Sequence, residues 1–445
     1  MVSDAPKRVL FVTLGCAKNE VDTDRMRALL TADGFMETSE VDDADVAIVN
    51  TCSFLAAATS ESIETTLELA DAAAQGVRTL PIIMCGCVPS RYDVDELSHE
   101  LPEVAAFVRA DEEDTIASVV REVLGLSAHS MGEDIMRRAL RTIEGASAYV
   151  KISDGCDRFC SFCAIPYIRG RYFSRTPEDI LKEVEALVAG GVREVVLIGQ
   201  DTGIWGYDLD EPHSLAWLLE RVAEVVRPVS GWVRVLYLQP EGMTDELIAV
   251  LRDVPEVLPY IDIPIQHCSA RILDEMGRSG SPEEYRALFA RLRADVPGMV
   301  LRSTGMCGFP TETDDEADEL YVFAAEQAFD YLSVFAYSAE EGTMAAAMEG
   351  QVDEDVKLDR TQRLLDLAEE MGFAATASHV GEYVDVIIDG AEEGEDGLEL
   401  IGHAWFQAPD SDGAVHIESG EARVGDIVRV KLVDAFCYEL IGELI

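Results

Sequence analysis

Short apolar runs alternate with amphipathic stretches through the first part of the chain. The runs cover residues 8–14, 45–51 and 80–86, and the helix-period stretches cover residues 22–32 and 60–74. This alternation predicts a parallel sheet flanked by helices. The pattern ends near residue 126. We therefore predict an N-terminal domain over residues 7–126 and a polar linker over residues 127–141.

A second alternation of the same kind fills the middle of the chain. Six strand candidates occur at residues 148–153, 194–199, 232–238, 260–265, 300–306 and 331–337. The helix after the first of them has Thr176 as N-cap, Pro177 at its first position and Gly190 as its stop signal. Because a closed barrel of this type has eight units, six units over residues 142–376 predict an open or partial (β/α)6 barrel.

The pattern changes again near the C-terminal end. Residues 378–445 contain short strands with alternating apolar and polar positions, joined by Gly and Asp turns. This pattern predicts a small all-β barrel similar to an OB-like module. The fold class expected for the whole chain is therefore multidomain α/β: an open parallel sheet, a partial barrel and a small β-barrel.

The chain is strongly acidic. Its 85 acidic and 35 basic residues give a formal net charge of -50, and residues 380–445 contain 16 acidic against 3 basic residues, a difference of -13. Such a surface disfavours phosphate backbones and suits a basic protein partner. Salt adaptation or solubility explains the same charge equally well.

Residues 137–175 form a basic stretch that reverses this trend. The stretch holds eight basic and three acidic residues. It either contacts RNA or an acidic substrate side chain, or it is a solvated patch.

The sequence gives no indication of a membrane span or of secretion. It has no apolar run of about 18 residues, and residues 1–15 lack the order of a signal peptide. We therefore expect a cytoplasmic protein. In a reducing compartment its ten cysteines are expected to be buried thiols, metal ligands or catalytic groups rather than disulfides.

Three cysteines, Cys156, Cys160 and Cys163, lie within eight positions after the first strand of the second alternation. A cubane iron–sulfur cluster has four irons, so three thiolates leave one iron open to a substrate or cofactor. Structural zinc with a distant fourth ligand is the alternative. Zinc ribbons come as paired C-x2-C knuckles, and the sequence offers no suitable second pair, so the spacing favours a cluster.

Three more cysteines, Cys16, Cys52 and Cys87, each follow directly after a predicted strand of the N-terminal domain. The carboxyl ends of parallel strands gather at one edge of an open sheet, so these thiols should converge there. Singly, each cysteine is typical of a buried small side chain. Jointly, their equivalent positions indicate a second three-cysteine cluster, with Cys85 expected on the other side of the sheet.

The segment GCDRFCSFCAIPYIRGRYFSR resembles the radical S-adenosylmethionine (SAM) enzymes. Two three-cysteine sites and a C-terminal β module extend the resemblance to the radical SAM methylthiotransferases, over nearly the whole chain. The resemblance implies a methylthiotransferase domain, a radical SAM core and a TRAM domain, with two 4Fe-4S clusters and SAM as cofactors. One SAM would supply a methyl group, a second would supply a 5′-deoxyadenosyl radical, and the N-terminal cluster would supply sulfur. A flavodoxin- or ferredoxin-type electron donor is also implied.

The resemblance places the SAM contacts at strand ends and after the cluster cysteines. The candidates are Phe162, Ile165, Gln200, Asp201, Gln266 and Gly308. Each of these side chains is equally compatible with a packing role. Thr311, in GFPTET, stands where the family usually has Gly.

The family has two main bacterial branches that differ in substrate. Stretches such as LGCAKNEVD, GCVPSRY and IGQDTGIWGYDL resemble the branch that modifies the β-carbon of an aspartate in ribosomal protein uS12, in the small ribosomal subunit. The other branch modifies isopentenyl-adenosine in tRNA and typically has Asn where Asp201 stands. The acidic C-terminal module agrees with a basic protein and disfavours tRNA. An iron–sulfur electron carrier and a zinc-containing ribosome-binding module are the alternatives of another class.

Overall fold

A five-stranded parallel sheet forms the N-terminal domain of the computed structural model, which describes residues 6–75, 80–127, 141, 145–394, 397–417 and 420–445. The strands are β1 (Arg8–Thr13), β2 (Met36–Glu37), β3 (Val46–Thr51), β4 (Ile82–Gly86) and β5 (Val104–Arg109). They pair in the order β2-β1-β3-β4-β5. The helices are α1 (Ala17–Ala32), α2 (Ala56–Gln75), α3 (Cys87–Arg91), α4 (Val94–Glu100) and α5 (Ile116–Val123).

Helix α1 begins earlier than the sequence predicts. Its expected start near residue 22 is wrong, because the first turns carry polar residues that the apolar pattern does not mark. Lys18, Asn19 and Asp22 are nevertheless buried, since they contact the barrel domain. Strand β5 was not predicted, and most of the predicted linker over residues 127–141 lies outside the described residues.

The central domain is a partial barrel, as predicted. Its strands are β6 (Ser147–Lys151), β9 (Glu194–Ile198), β10 (Trp232–Val235), β11 (Tyr260–Gln266), β12 (Val300–Cys307) and β13 (Tyr331–Ala336), with a small hairpin of β7 (Ser153–Asp154) and β8 (Phe173–Ser174). Two parallel three-stranded sheets, β10-β9-β6 and β11-β12-β13, meet where the Leu238 N–H donates to the Asp262 carbonyl at 3.0 Å. The described residues therefore form an arc with β6 and β13 at its ends.

Helices cover the outer face of this arc. The short α6 (Ile165–Ile168) instead lies between β7 and β8 and packs against Cys87, and the covering helices are α7 (Pro177–Ala189), α8 (Leu215–Val226), α9 (Asp245–Asp253), α10 (Ala270–Glu275), α11 (Pro282–Asp295), α12 (Asp314–Gln327) and α13 (Glu354–Ser378). The predicted caps of α7 are confirmed, since the Thr176 side chain accepts from the Asp179 N–H and Gly190 ends the helix. None of the helices in the described part of the chain combines the length and apolarity needed to cross a bilayer.

The C-terminal domain is a closed five-stranded barrel, as predicted. Its strands are β14 (Tyr383–Gly394), β15 (Gly397–Ala404), β16 (Val415–Ile417), β17 (Ile427–Ala435) and β18 (Leu440–Leu444), in the order β14-β15-β16-β18-β17. Its apolar core is continuous with the inner face of the arc. Val196, Leu236 and Tyr260 of the arc pack in one buried cluster with Phe406 and Leu440 of the β-barrel.

Polar contacts fix the β-barrel against the arc. The Tyr149 hydroxyl donates to the Pro409 carbonyl at 2.8 Å, and the Tyr260 hydroxyl donates to Asp412 at 2.5 Å. Arg302 also pairs with Asp412. These side chains lie on three different strands of the arc, so the C-terminal domain bridges its two sheets.

A buried ionic group completes this interface. His403 of the β-barrel lies between Glu194 of the arc and Asp389, with 2.6 Å from each ring nitrogen to a carboxylate oxygen. Glu194 also pairs with the buried Arg234 at 2.6 Å. Burial opposes the charged ring, but Glu194 and Asp389 outweigh burial and raise the pKa of His403 to about 9. The imidazolium form therefore joins the two domains at neutral pH.

We expect the His403 contact to make stability depend on pH. The folded chain keeps this proton up to about pH 9, whereas an unfolded His loses it near 6.5. The stabilisation is therefore complete below about pH 6.5 and is lost as the pH rises through about 9, by about 3 kcal/mol. Urea unfolding of the metal-free chain and of His403→Gln, followed by circular dichroism near pH 6.5 and near pH 10, measures the difference. Equal pH dependence in the two proteins would contradict this assignment.

Candidate active site

The three closely spaced cysteines lie on one loop at the carboxyl end of the arc. The loop runs from β7 to α6, and the Cys156 N–H donates to the Gly170 carbonyl at 3.2 Å, while the Cys163 N–H donates to the Cys160 carbonyl at 3.0 Å. All three side chains are partly exposed. Burial first, and then the nearby Cys160 and Cys156, raise the pKa of Cys163 to about 12. The three thiols are therefore near neighbours, and we call them the loop trio.

The loop trio is anchored by other loops at the carboxyl ends of the strands. The Ser161 N–H donates to the Met276 carbonyl at 2.9 Å, and the Ala345 N–H donates to the Ser161 carbonyl at 2.8 Å. Arg158, between the first two cysteines, donates to Asp201 at 2.5 Å. The Asp201 side chain is fully buried, so this ion pair holds the loop against the strand end after β9.

The structure also brings Cys16, Cys52 and Cys87 together, and we call them the sheet trio. Each follows a parallel strand, β1, β3 or β4, at the same edge of the N-terminal sheet. Burial first, and then the nearby Cys87 and Cys16, raise the pKa of Cys52 to about 11. Gly15 has a φ of +105°, and a Cβ there would lie 2.8 Å from the Cys52 Cβ. A side chain at position 15 would therefore displace this trio.

Cys85 lies on the other side of the sheet, as expected. It is buried in the apolar core beneath α1, among Val9, Met26 and Leu29. Its thiol donates to the Val49 carbonyl at 3.5 Å. The alternation of side chains along β4 therefore separates it from Cys87.

The sheet trio lies at the interface with the domain that carries the loop trio. Cys87 packs directly against Ala164 and Ile168, and Ala164 follows Cys163 in the chain. Arg169, at the end of α6, donates from Nη2 to the Cys87 sulfur at 3.7 Å. The helix that follows the loop trio therefore contacts the sheet trio.

Buried charges surround this contact. Asp22 of α1 accepts from Arg169 Nη1 at 2.7 Å and pairs with Lys151 of β6. Lys151 and Arg169 also pair with Asp154, at 3.1 and 3.5 Å. Burial opposes ionisation of Asp154, but Lys151 and Arg169 outweigh it and hold the pKa of Asp154 at about 2. The interface is therefore held by two cations of the barrel domain and by carboxylates of both domains.

The described cations of the basic stretch over residues 137–175 form ion pairs with carboxylates of the chain itself. Its described members pair with acidic side chains: Arg141 with Asp24, Lys151 and Arg169 with Asp22, Arg158 with Asp201, Arg171 with Asp157 and Arg175 with Glu183. Arg137 and Arg138 lie outside the described residues. Three of these cations, Arg141, Lys151 and Arg169, pair with carboxylates of the N-terminal domain, which the sequence alone does not reveal.

Three predicted SAM contacts follow strand ends near the loop trio. Gln200 and Asp201 follow β9, and Gln266 ends β11 with a φ of +68°. The Gln200 Nε2 donates to Asp154 at 2.9 Å. Within the described residues, Gln200 Oε1 and Asp201 Oδ1 are buried and accept no hydrogen bond. Two acceptor oxygens beside the loop trio fit the ammonium group of a bound amino acid such as the methionine part of SAM.

The other candidates have packing explanations. Phe162 packs against the apolar cluster around Met276 and Phe309, and Ile165 begins α6. Gly308 has a φ of +78°, and a Cβ there would lie 2.2 Å from Lys357 Cγ. Whether these residues also touch SAM remains a prediction.

Thr311, the departure from the family pattern, has a left-handed backbone with a φ of +70°. This conformation is costly for a β-branched residue and explains why Gly is usual at the position. The Thr311 hydroxyl donates to Glu275 at 2.8 Å, and Arg271 donates to the Thr311 carbonyl at 3.0 Å. These contacts offset the strain and keep the turn in place.

The cysteine geometry also bears on the metal that each trio suits. Within the described part of the chain, no three His, Cys, Asp or Glu side chains lie close enough to share a single metal ion. The ligand sulfurs of a cubane bind separate irons and so lie further apart. Cysteine thiolates are the ligands of such clusters, and the assignment of one cluster to each trio stays a prediction.

Comparison with known families agrees with the three domains. Residues 150–324 match the Radical SAM superfamily, residues 8–109 match Uncharacterized protein family UPF0004, and residues 380–445 match the TRAM domain. The fold and the loop trio thus define a radical SAM enzyme, which works with an iron–sulfur cluster and SAM.

Relatives that match over their full length show which kind of radical SAM enzyme the chain resembles. The proteins named ribosomal protein uS12 methylthiotransferase RimO from Trichlorobacter lovleyi and Geobacter sulfurreducens are each 41% identical to the chain. The matches span 450 and 453 residues, covering 99% and 100% of both sequences. The chain therefore belongs to the RimO family of radical SAM methylthiotransferases.

Solved structures show the shared fold at much lower identity. The radical SAM methyltransferase TsrM from Kitasatospora setae, with cobalamin and a 4Fe-4S cluster bound, gives a TM-score of 0.55 at 13% identity. That match covers 75% of this chain and 72% of TsrM. The cobalamin-dependent SAM radical enzyme OxsB gives a TM-score of 0.50 at 11% identity, covering 81% of this chain and 56% of OxsB. These likenesses establish the fold only.

Sequence reasoning did not single out several residues of the site. Asn19 accepts from Arg169 at 3.1 Å, and its Oδ1 lies 3.6 Å from the Cys16 sulfur and 4.0 Å from the Cys87 sulfur. Asp22 and Arg169 were likewise missed as site residues. The available signal was the spacing of Asn19 and Asp22 from Cys16, which places polar side chains on the first turns of a helix that starts at the trio.

We expect each trio to hold its own cluster. Replacing either the loop trio or the sheet trio by alanine should lower the iron content of the anaerobically reconstituted chain from about eight to about four atoms. Iron and acid-labile sulfide assays measure this loss. Cys437→Ala is the control, because Cys437 lies in the C-terminal domain and donates to the Glu369 carbonyl. A trio variant that retains the full iron content would refute the assignment of that trio.

Proposed function

We propose that the chain replaces a C–H bond on the β-carbon of an aspartate of ribosomal protein uS12 by C–S–CH3. The observation that carries the proposal is the contact of the sheet trio with the segment that follows the loop trio, where Cys87 packs in one buried cluster with Ala164 and Ile168. The names of the RimO relatives support uS12 as the substrate. We further propose two 4Fe-4S clusters, the loop trio holding one and the sheet trio the other.

The groups bound at the trios would supply the radical, the sulfur and the methyl group. The protein itself has to hold these groups close together and in a fixed orientation. The Arg158–Asp201 ion pair fixes the loop trio. The free acceptors of Gln200 and Asp201 would orient the ammonium group of SAM beside it. No side chain is required as a general base, since the adenosyl carbon accepts the hydrogen atom.

The acidic surface supports a basic protein partner. Residues 380–445 carry 16 acidic and 3 basic residues, and some of these carboxylates, such as Glu392, Glu421 and Glu443, are exposed. Complementary charge would steer uS12, within the small ribosomal subunit, toward the enzyme. The same charge disfavours tRNA. A flavodoxin- or ferredoxin-type protein would supply the electron.

The decisive assay compares two substrates. The anaerobically reconstituted enzyme is incubated with SAM and a reductant, and either small ribosomal subunits or unmodified tRNA is added. We expect mass spectrometry of the digested products to show a methylthio group on an aspartate of uS12 and none on tRNA. The alanine variant of the loop trio is the control and should give no product.

Two other outcomes of this assay would favour the alternative functions, a tRNA methylthiotransferase and an iron–sulfur electron carrier. A methylthio-adenosine in tRNA would support methylthio transfer as the reaction and refute uS12 as the substrate. Reduction without any cleavage of SAM would favour an electron carrier.

The C-terminal surface can be tested separately. Replacing Glu392, Glu421 and Glu443 by glutamine should lower the rate of uS12 modification at low salt several-fold, because electrostatic steering acts mainly on association. The difference from the unaltered enzyme should shrink as salt is added. The control neutralises three exposed acids on barrel helices, Glu178, Glu185 and Glu246. Equal losses in the two variants would contradict a specific role for the β-barrel.

A further inference from the structure

Arg169 is a buried cation that belongs to one domain and contacts the cysteine site of another. It follows α6 and lies six residues after Cys163 in the chain. Only 3% of its side chain is exposed. A buried guanidinium needs several acceptors, and the acceptors of Arg169 are supplied by both domains.

The two ends of the guanidinium have different partners. Nη1 donates to Asp22 at 2.7 Å and lies 3.5 Å from Asp154. Nη2 donates to Asn19 Oδ1 at 3.1 Å and to the Cys87 sulfur at 3.7 Å. The planar group is therefore fixed by two carboxylates while its other edge faces the sulfur.

The Asn19 side chain is itself fixed. Its Nδ2 donates to the Thr51 carbonyl at 2.8 Å, next to Cys52 in the chain. Its Oδ1 contacts Arg169 and lies near the Cys16 and Cys87 sulfurs. One amide thus connects all three strand ends of the sheet trio to the guanidinium of the barrel domain.

We propose that Arg169 is a positioning residue that donates a hydrogen bond to the Cys87 sulfur and thereby tunes the reduction potential of the group held by the sheet trio. The inference rests on the proposed second cluster. Hydrogen bonds to ligand sulfurs and nearby positive charge stabilise the more negative, reduced state of such a cluster. Arg169 therefore raises its potential and links it to the domain that carries the loop trio.

The test measures the midpoint potential of that cluster alone. The full-length chain is prepared with Cys156, Cys160 and Cys163 replaced by alanine, so that one cluster is observed, and is titrated with EPR detection. We expect Arg169→Gln to shift the midpoint negative by about 59 mV, which is a tenfold lower ratio of reduced to oxidised cluster at a fixed potential. Arg171→Gln, two residues away with 74% of its side chain exposed, is the matched control and should leave the midpoint unchanged.

A second variant keeps the test decisive if Arg169→Gln binds no iron. Arg169→Lys retains the charge opposite Asp22 but lacks the planar fork that reaches Asn19 and Cys87 together. We expect a smaller negative shift. A midpoint equal to that of the parent chain in every Arg169 variant that binds the cluster would overturn the proposal.

The same experiment separates this inference from the proposed function. A parent chain that binds no iron through the sheet trio would refute the second cluster and, with it, both proposals. A bound cluster with a potential independent of position 169 would refute the role of Arg169 alone.

Discussion

The buried carboxylate of Asp22 is the constraint on which the arrangement of the domains depends. Asp22 is 2% exposed, and its two cationic partners, Lys151 and Arg169, both belong to the barrel domain. A buried charge without its partners costs several kcal/mol. The N-terminal sheet can therefore bury this edge only by docking on the loop that follows the loop trio. Docking in this way places the sheet trio against the helix that follows the loop trio.

The inner face of the arc is constrained by a different kind of contact. Apolar side chains of the C-terminal β-barrel, such as Phe406, pack in one core with the inward-facing side chains of the arc. The arc is therefore not a self-sufficient domain. Its inner surface is completed by the β-barrel, and its cysteine end is completed by the N-terminal sheet. Each of the three domains covers surface that another would leave exposed.

Much of this architecture could be predicted from the sequence, because it follows from the local order of apolar, polar and cysteine residues. Apolar alternation gave the three domains, and the position of cysteines after strands predicted the convergence of Cys16, Cys52 and Cys87, which the structure shows. The contacts between domains could not be predicted in this way. Asp22 and Arg169 carry no local sign of being buried together. The basic stretch looked like a surface, since a charge count does not show which carboxylate each cation meets.

The spacing of Asp22 and Arg169 along the chain has a consequence for biosynthesis. The two residues are separated by 147 positions. At about 5–20 residues per second, a ribosome needs about 7–30 s to make Arg169 after Asp22. In the last part of that interval, after β5 ends at Arg109 and before Arg169 is made, the strands of the N-terminal sheet are complete and Cys87 is not yet covered by Ala164 and Ile168. The Cys87 side of this edge is thus covered only once the barrel domain has folded, whereas Cys16 is exposed even in the folded chain.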